Sequence, residues 1–123
     1  MEFYHKTPRA TLDIDRLQQT LELTNLPELC SLIDSIEVDN AREGSLYCLW
    51  GAFDVDRMDV RCGTRFSLLN CPHAATWTVT YDAQKQELIV HFTIDKSELE
   101  PDFAESIQAF VDDWAEGLER ALQ

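Results

Sequence analysis

Glycine is scarce in this chain, four residues in 123, and no glycine-rich phosphate loop can be built from them. A G-x-S-x-G elbow and an H-E-x-x-H pair are both missing, which removes the usual local signatures of serine hydrolases and zinc peptidases. The four cysteines, Cys30, Cys48, Cys62 and Cys71, form no C-x-x-C pair. The sequence therefore contains neither a zinc ribbon nor a dithiol redox motif. Basic residues are also few: ten Lys and Arg stand against 23 Asp and Glu, a net charge of −13. That field repels phosphate backbones and anionic membranes, so no nucleic-acid or membrane partner is expected. The longest apolar stretch, Tyr47 to Phe53, is far too short to span a bilayer, and Met1 to Lys6 lack the apolar core of a signal peptide. The expectation is a soluble cytoplasmic protein with reduced thiols, no metal and no cofactor.

What is present is a globular composition, 45% hydrophobic and 10% aromatic, in a chain of single-domain length, so residues 1–123 are read as one domain. The clearest element is the C-terminal stretch Glu100 to Gln123. Phe103, Ile107, Phe110, Val111, Trp114, Leu118, Ala121 and Leu122 follow steps of three and four residues and draw one helical stripe. Pro101 suits the first turn, and Asp102 and Glu105 suit the positive end of the helix dipole. Nine acidic residues between Asp95 and Glu119 face only Lys96, so the outer side of this helix is negative. Asp112 and Asp113 are read as pointing outward.

Upstream, residues 1 to 11 read either as a frayed end or as a short edge strand over Phe3 to His5. Asp13 is a good N-cap for a helix carrying Ile14, Leu17 and Leu21. Asn25-Leu26-Pro27 stops that helix and starts a shorter one with Leu29, Leu32 and Ile33. From Ile36 the period changes to two. Between Arg57 and Leu68 the alternation is unbroken, with Met58, Val60, Cys62, Thr64, Phe66 and Leu68 assigned to the core face. A hairpin closed about Val55-Asp56 sets Phe53 opposite Met58 and Gly51 opposite Val60. The same register sets Leu49 opposite Cys62 and Trp50 opposite Arg61, so Cys62 faces the core and Cys48 faces away. In a second hairpin, Tyr81 pairs with Leu88, Val79 with Val90 and Trp77 with Phe92 on the core side, with Thr78 opposite His91 outside.

The predicted order is α-α-β-β-β-β-β-α: an α+β two-layer sandwich with a five-stranded antiparallel meander sheet, two short N-terminal helices and one long C-terminal helix. The ending Phe110-Val111-Asp112-Asp113-Trp114-Ala115-Glu116-Gly117-Leu118-Glu119-Arg120-Ala121-Leu122 is similar to the ends of helix-grip domains, as in START-like and pollen-allergen-like proteins. That resemblance implies a sheet wrapped around the last helix and a small-ligand pocket between them, with Trp77, Phe92 and Trp114 as walls. Size, acidity and terminal helices also resemble type III secretion chaperones; no residue motif carries that likeness, so no binding residue is transferred from it.

Candidate functional residues come from the sheet face left without helices. Trp50, Arg61, Arg65, Thr78 and His91 gather there in the expected register. Trp and Arg are enriched where proteins grip partners. The first expectation is accordingly a non-catalytic, chaperone-like or accessory module that contacts a protein partner or a second copy of itself. The alternative is the apolar ligand pocket. Asp54, Asp56 and Asp59 lack the glycine and distal glutamate of a calcium loop and read as a solvated hairpin tip near Arg57 and Arg61.

Overall fold

In the computed structural model, which describes residues 1–123, the apolar stripe at the C-terminus becomes helix α3, Pro101–Ala121. Ile107, Phe110, Val111, Trp114, Ala115, Gly117 and Leu118 are its buried residues, and Leu122 just beyond it is also buried. Ala121 is exposed, off the buried stripe. Pro101 occupies the first turn, where no N–H is needed, and Arg120 sits in the last turn, at the negative end of the dipole.

The strands are β1 (Glu2–Pro8), β2 (Ile33–Val38), β3 (Glu43–Cys48), β4 (Gly51–Val60), β5 (Gly63–Leu68), β6 (Thr76–Asp82) and β7 (Glu87–Thr93). They form one antiparallel sheet in the order β1-β7-β6-β5-β4-β3-β2. Strands β2 to β7 are a meander, and β1 returns to pair with β7. The second hairpin has the register expected from its alternation, with Trp77 opposite Phe92, Thr78 opposite His91 and Tyr81 opposite Leu88.

The sheet has seven strands, not five. One addition is β1, an edge strand longer than Phe3 to His5. The other comes from turns at Leu49-Trp50 and Arg61-Cys62, while Val55 and Asp56 lie in the middle of β4. A two-residue turn pairs Val60 with Gly63 and Met58 with Arg65, so the side-chain parity read through Arg57 to Leu68 inverts at the turn. Val55 and Arg57 therefore share the inner face with Phe66 and Leu68, while Met58 is exposed on the outer face. The three aspartates lie along β4 and not at a tip. Asp54 accepts from Ser45 Oγ at 3.0 Å, Asp56 pairs with Arg42 at 2.8 Å and Asp59 with Arg57 at 3.0 Å.

Helix α1 (Ile14–Thr20) is capped by Asp13, whose side chain accepts from Asp15 N. A turn of 3-10 helix over Leu23–Asn25 leads into α2, Leu26–Leu29. The inner-face guanidinium of Arg57 donates to the carbonyls of Leu21 and Gln18 at 2.9 and 2.8 Å. It thereby satisfies the C-terminal carbonyls that α1 leaves unpaired. Gln18 returns the contact, donating to Val60 O and Gly63 O. These bonds tie α1 to the far end of β4 and β5, while α2 packs on α3.

Between sheet and α3 the centre is filled. Trp77 and Trp114 are almost wholly buried and stand 6.1 Å apart between ring centroids. Phe66, at 5.4 Å from Trp77, and Phe110, at 5.2 Å, complete the cluster. These large aromatic residues dominate the burial that holds the helix.

Candidate functional site

One end of the helix–sheet interface is not filled. Its first wall comes from the turn between β3 and β4. Cys48 pairs with Gly51, and the φ of +121° at Gly51 is open to glycine at little cost. The turn leaves Leu49 exposed and brings Trp50 over the N-terminal half of α3, half-buried. There Trp50 Nε1 donates to Ser106 Oγ at 3.0 Å, and Ser106 Oγ donates to Phe103 O at 2.6 Å. The Trp50 ring lies 4.9 Å from Phe110, 5.7 Å from Phe92 and 6.0 Å from Phe103. The expectation that Trp50 stands on the outer face beside Arg61 is overturned by these contacts. Its cause is the misplaced hairpin: with the turn at Leu49-Trp50 there is no strand position for Trp50 to share with Arg61.

The second wall is the connection from β5 to β6. Leu69 N donates to Asp54 O and the Asn70 side chain accepts from Asp54 N, each at 2.9 Å. Ala74 N donates to Cys71 O at 3.1 Å, and Ala74 holds a φ of 50°. Asp95 N donates to His73 O at 2.8 Å. So tethered, Cys71, Pro72 and His73 face Phe103, with the His73 ring 5.2 Å from the phenyl ring. Trp50, Phe53, Cys71, Pro72, His73, Ala75, Phe92 and Phe103 line a cavity of about 280 Å³ that opens to the surface beside Pro72. No lysine, arginine, aspartate or glutamate lines it.

Of the pocket walls anticipated from sequence, Phe92 lines this space, whereas Trp77 and Trp114 belong to the packed cluster. Phe53 and Phe103 carried signals of apolar periodicity only. Cys71 and His73, two residues apart in the β5–β6 connection, are both in the cavity lining. No group of three or more His, Cys, Asp or Glu side chains comes together to hold a metal. Cys48 is buried and Cys62 sits half-buried in the β4–β5 turn, the reverse of their expected orientations. Burial pushes the thiols of Cys30 and Cys48 well up from the usual cysteine range.

The remaining sequence candidates do lie on the outer face. Register places Met58, Arg65, Thr78, His91 and Tyr4 side by side across β4, β5, β6, β7 and β1. Arg61 is in the β4–β5 turn at the end of this row. The Tyr4 and His91 rings stack at 4.3 Å and 2°, and His91 Nε2 lies 3.1 Å from Glu2 Oε1. On the opposite side, Asp112 and Asp113 do not simply face solvent. Asp112 Oδ1 is 2.8 Å from His5 Nδ1 and accepts from Gln108 at 3.0 Å, while Asp113 accepts from the backbone and hydroxyl of Ser31. These two carboxylates bind α3 to β1 and to the segment after α2. Burial alone would raise the Asp112 carboxyl, but the His5 and Gln108 bonds outweigh it and hold the carboxyl below the usual aspartate range.

No helix is long and apolar enough to cross a membrane. No family model matches the sequence, and no curated protein resembles it closely enough to count as a match. Solved structures do. An uncharacterised protein from Bacillus thuringiensis superposes with a TM-score of 0.65 at 14% identity, over 98% of both chains. A START superfamily protein from Mycobacterium smegmatis gives 0.57 at 9% identity, over 98% of this chain and 93% of its own. An AHSA1-like protein from Aeromonas hydrophila gives 0.56 at 12%, over 98% and 94%. Identities this low speak for architecture alone, and that architecture agrees with the long helix held against one antiparallel sheet: the chain has the helix-grip fold.

Proposed function

We propose that the chain binds a small apolar ligand in the cavity between the sheet and the N-terminal half of α3. The observation that carries this reading is the unfilled, uncharged space of about 280 Å³ beside an otherwise close-packed core. Protein interiors are close-packed, and a concave, mostly apolar pocket with few polar groups is the usual form of a small-molecule site. The helix-grip likeness supports the same choice, because the cavity lies where the fold brings helix and sheet together. Binding, and not turnover, is the activity inferred. The test is naphthalene binding by the native chain and by Ala75→Phe, which fills the space from a buried position. Naphthalene should raise the melting temperature of the native chain only. An equal rise in the filled variant would place the guest elsewhere and defeat the reading.

A second reading rests on the outer-face row. Arg61 and Arg65 form no ion pair within the chain, whose four pairs use other residues. Tyr4, Tyr47 and Met58 are exposed on the same face. Free guanidinium groups beside exposed aromatic rings suit an acidic protein surface, including the acidic outer side of α3 in a second copy. Arg65→Ser with Tyr4→Ser should abolish any self-association seen by sedimentation at high concentration. Unchanged association would assign it to another surface.

A further inference from the structure

The cavity contains one hydrogen-bonding side chain that the protein itself leaves unused. His5 and His91 each bond a carboxylate; His73 Nδ1 is buried without a partner, and Nε2, which forms no hydrogen bond within the chain, is the ring nitrogen left accessible to a guest. Of the other polar groups at the cavity wall, the Trp50 indole N–H is already taken by Ser106, and the Cys71 thiol is a weak donor and acceptor only. An imidazole nitrogen can donate or accept according to its tautomer, so an unpaired Nε2 at the cavity wall can take one hydrogen bond from a guest. The His73 backbone is held by the bond from Asp95 N to its carbonyl, and its ring stands 5.2 Å from that of Phe103.

Resting on the ligand-binding reading above, we propose that the cavity selects a neutral aromatic molecule of about two fused rings bearing a single hydroxyl or carbonyl group, which His73 hydrogen-bonds. Size follows from volume: a cavity of about 150 Å³ takes up benzene, and this one has about 280 Å³. Aromatic character follows from the rings of Trp50, Phe53, Phe92 and Phe103, which offer edges and faces to a planar guest. Neutrality follows from the absence of any lysine or arginine in the lining. A carboxylate or phosphate drawn inside would be desolvated without a counter-charge. Only one polar substituent is matched, because His73 is the only unspent side chain in the lining that forms strong hydrogen bonds.

Isothermal titration with three probes of one shape tests this: 2-naphthol, naphthalene and 2-naphthoate. The native chain should bind 2-naphthol roughly tenfold more tightly than naphthalene, the value of one net hydrogen bond, and 2-naphthoate more weakly than either. In His73→Leu the ratio of 2-naphthol to naphthalene affinity should fall to about one, whatever the change in naphthalene affinity itself; His73→Gln, which restores a donor and an acceptor, should recover part of that ratio. Far-ultraviolet circular dichroism and a cooperative melt verify that both variants are folded. If naphthalene binds but 2-naphthol is not preferred, or the preference survives in His73→Leu, the assignment to His73 is overturned while the cavity reading stands. Tightest binding of 2-naphthoate overturns the neutral-ligand claim. If no probe binds the native chain, the cavity reading itself fails and this inference fails with it.

Discussion

Gly117 of α3 lies so close to Leu29 of α2 that a Cβ at position 117 would fall 1.8 Å from the Leu29 carbonyl oxygen. In an isolated helix, glycine to alanine would stabilise by about 1 kcal/mol. Here the incoming methyl meets backbone, which cannot rotate away. Gly117→Ala is expected to destabilise by roughly 1–3 kcal/mol, the usual cost of overpacking, read as a lower denaturation midpoint with the slope unchanged. A stabilised variant would mean that α2 is free to move off α3.

Trp114 sits at the other extreme, wholly buried against Phe66, Trp77 and Phe110. Trp114→Ala should cost about 3–5 kcal/mol, as emptying a large aromatic site does. A loss under about 1 kcal/mol in urea unfolding would contradict the central position given to this residue.

The His5–Asp112 contact makes stability depend on pH in a defined direction. Because the folded carboxyl titrates below its unfolded value, its contribution is present above the ordinary aspartate pKa near 4. It is lost as the pH falls through the lower folded value. Asp112 is about half exposed, so the effect should stay below about 1 kcal/mol. Asp112→Asn should lose stability relative to the native chain at pH 6 and converge with it near pH 2. Parallel stability curves across that range would show that the contact contributes nothing.

Thiol reactivity should divide the four cysteines. Cys30 and Cys48 are buried with raised pKa values, so little thiolate is available at pH 8. A maleimide or aromatic disulfide reagent should label Cys62 and Cys71 in the native chain and all four in denaturant, as mass spectrometry would count them. Cys71 lines the cavity, and 2-naphthol should slow its labelling while leaving Cys62 unchanged. Equal protection of both would argue against a guest seated beside Cys71.

Legibility of the sequence varied with how much each segment constrains itself. The stripe from Phe103 to Leu122 names α3 because seven of its eight apolar positions share a face at least partly turned from solvent. The β6–β7 register was readable because Trp77, Val79 and Tyr81 on one strand and Leu88, Val90 and Phe92 on the other all need the same buried face. Residues Arg57 to Leu68 misled for a physical reason: Arg61-Cys62 has no glycine or asparagine to mark a turn, and the period of two runs on across it. Trp50 was lost with that register. The cavity was hardly legible at all, since it is made of side chains from the β3–β4 turn, β4, the β5–β6 loop, β7 and α3, whose meeting depends on tertiary structure. Only Phe92, expected as a pocket wall, pointed toward it.

The proposed binding site lies between Trp50, His73 and Phe103. A ¹H–¹⁵N correlation titration of the native chain with 2-naphthol tests it most directly, because it reports where binding occurs. The largest shifts should fall on the Trp50 indole N–H and on the amides of His73, Ala75, Phe92 and Phe103. Shifts confined to Tyr4, Thr78 and His91 on the outer face, or no saturable shift at all, would contradict it.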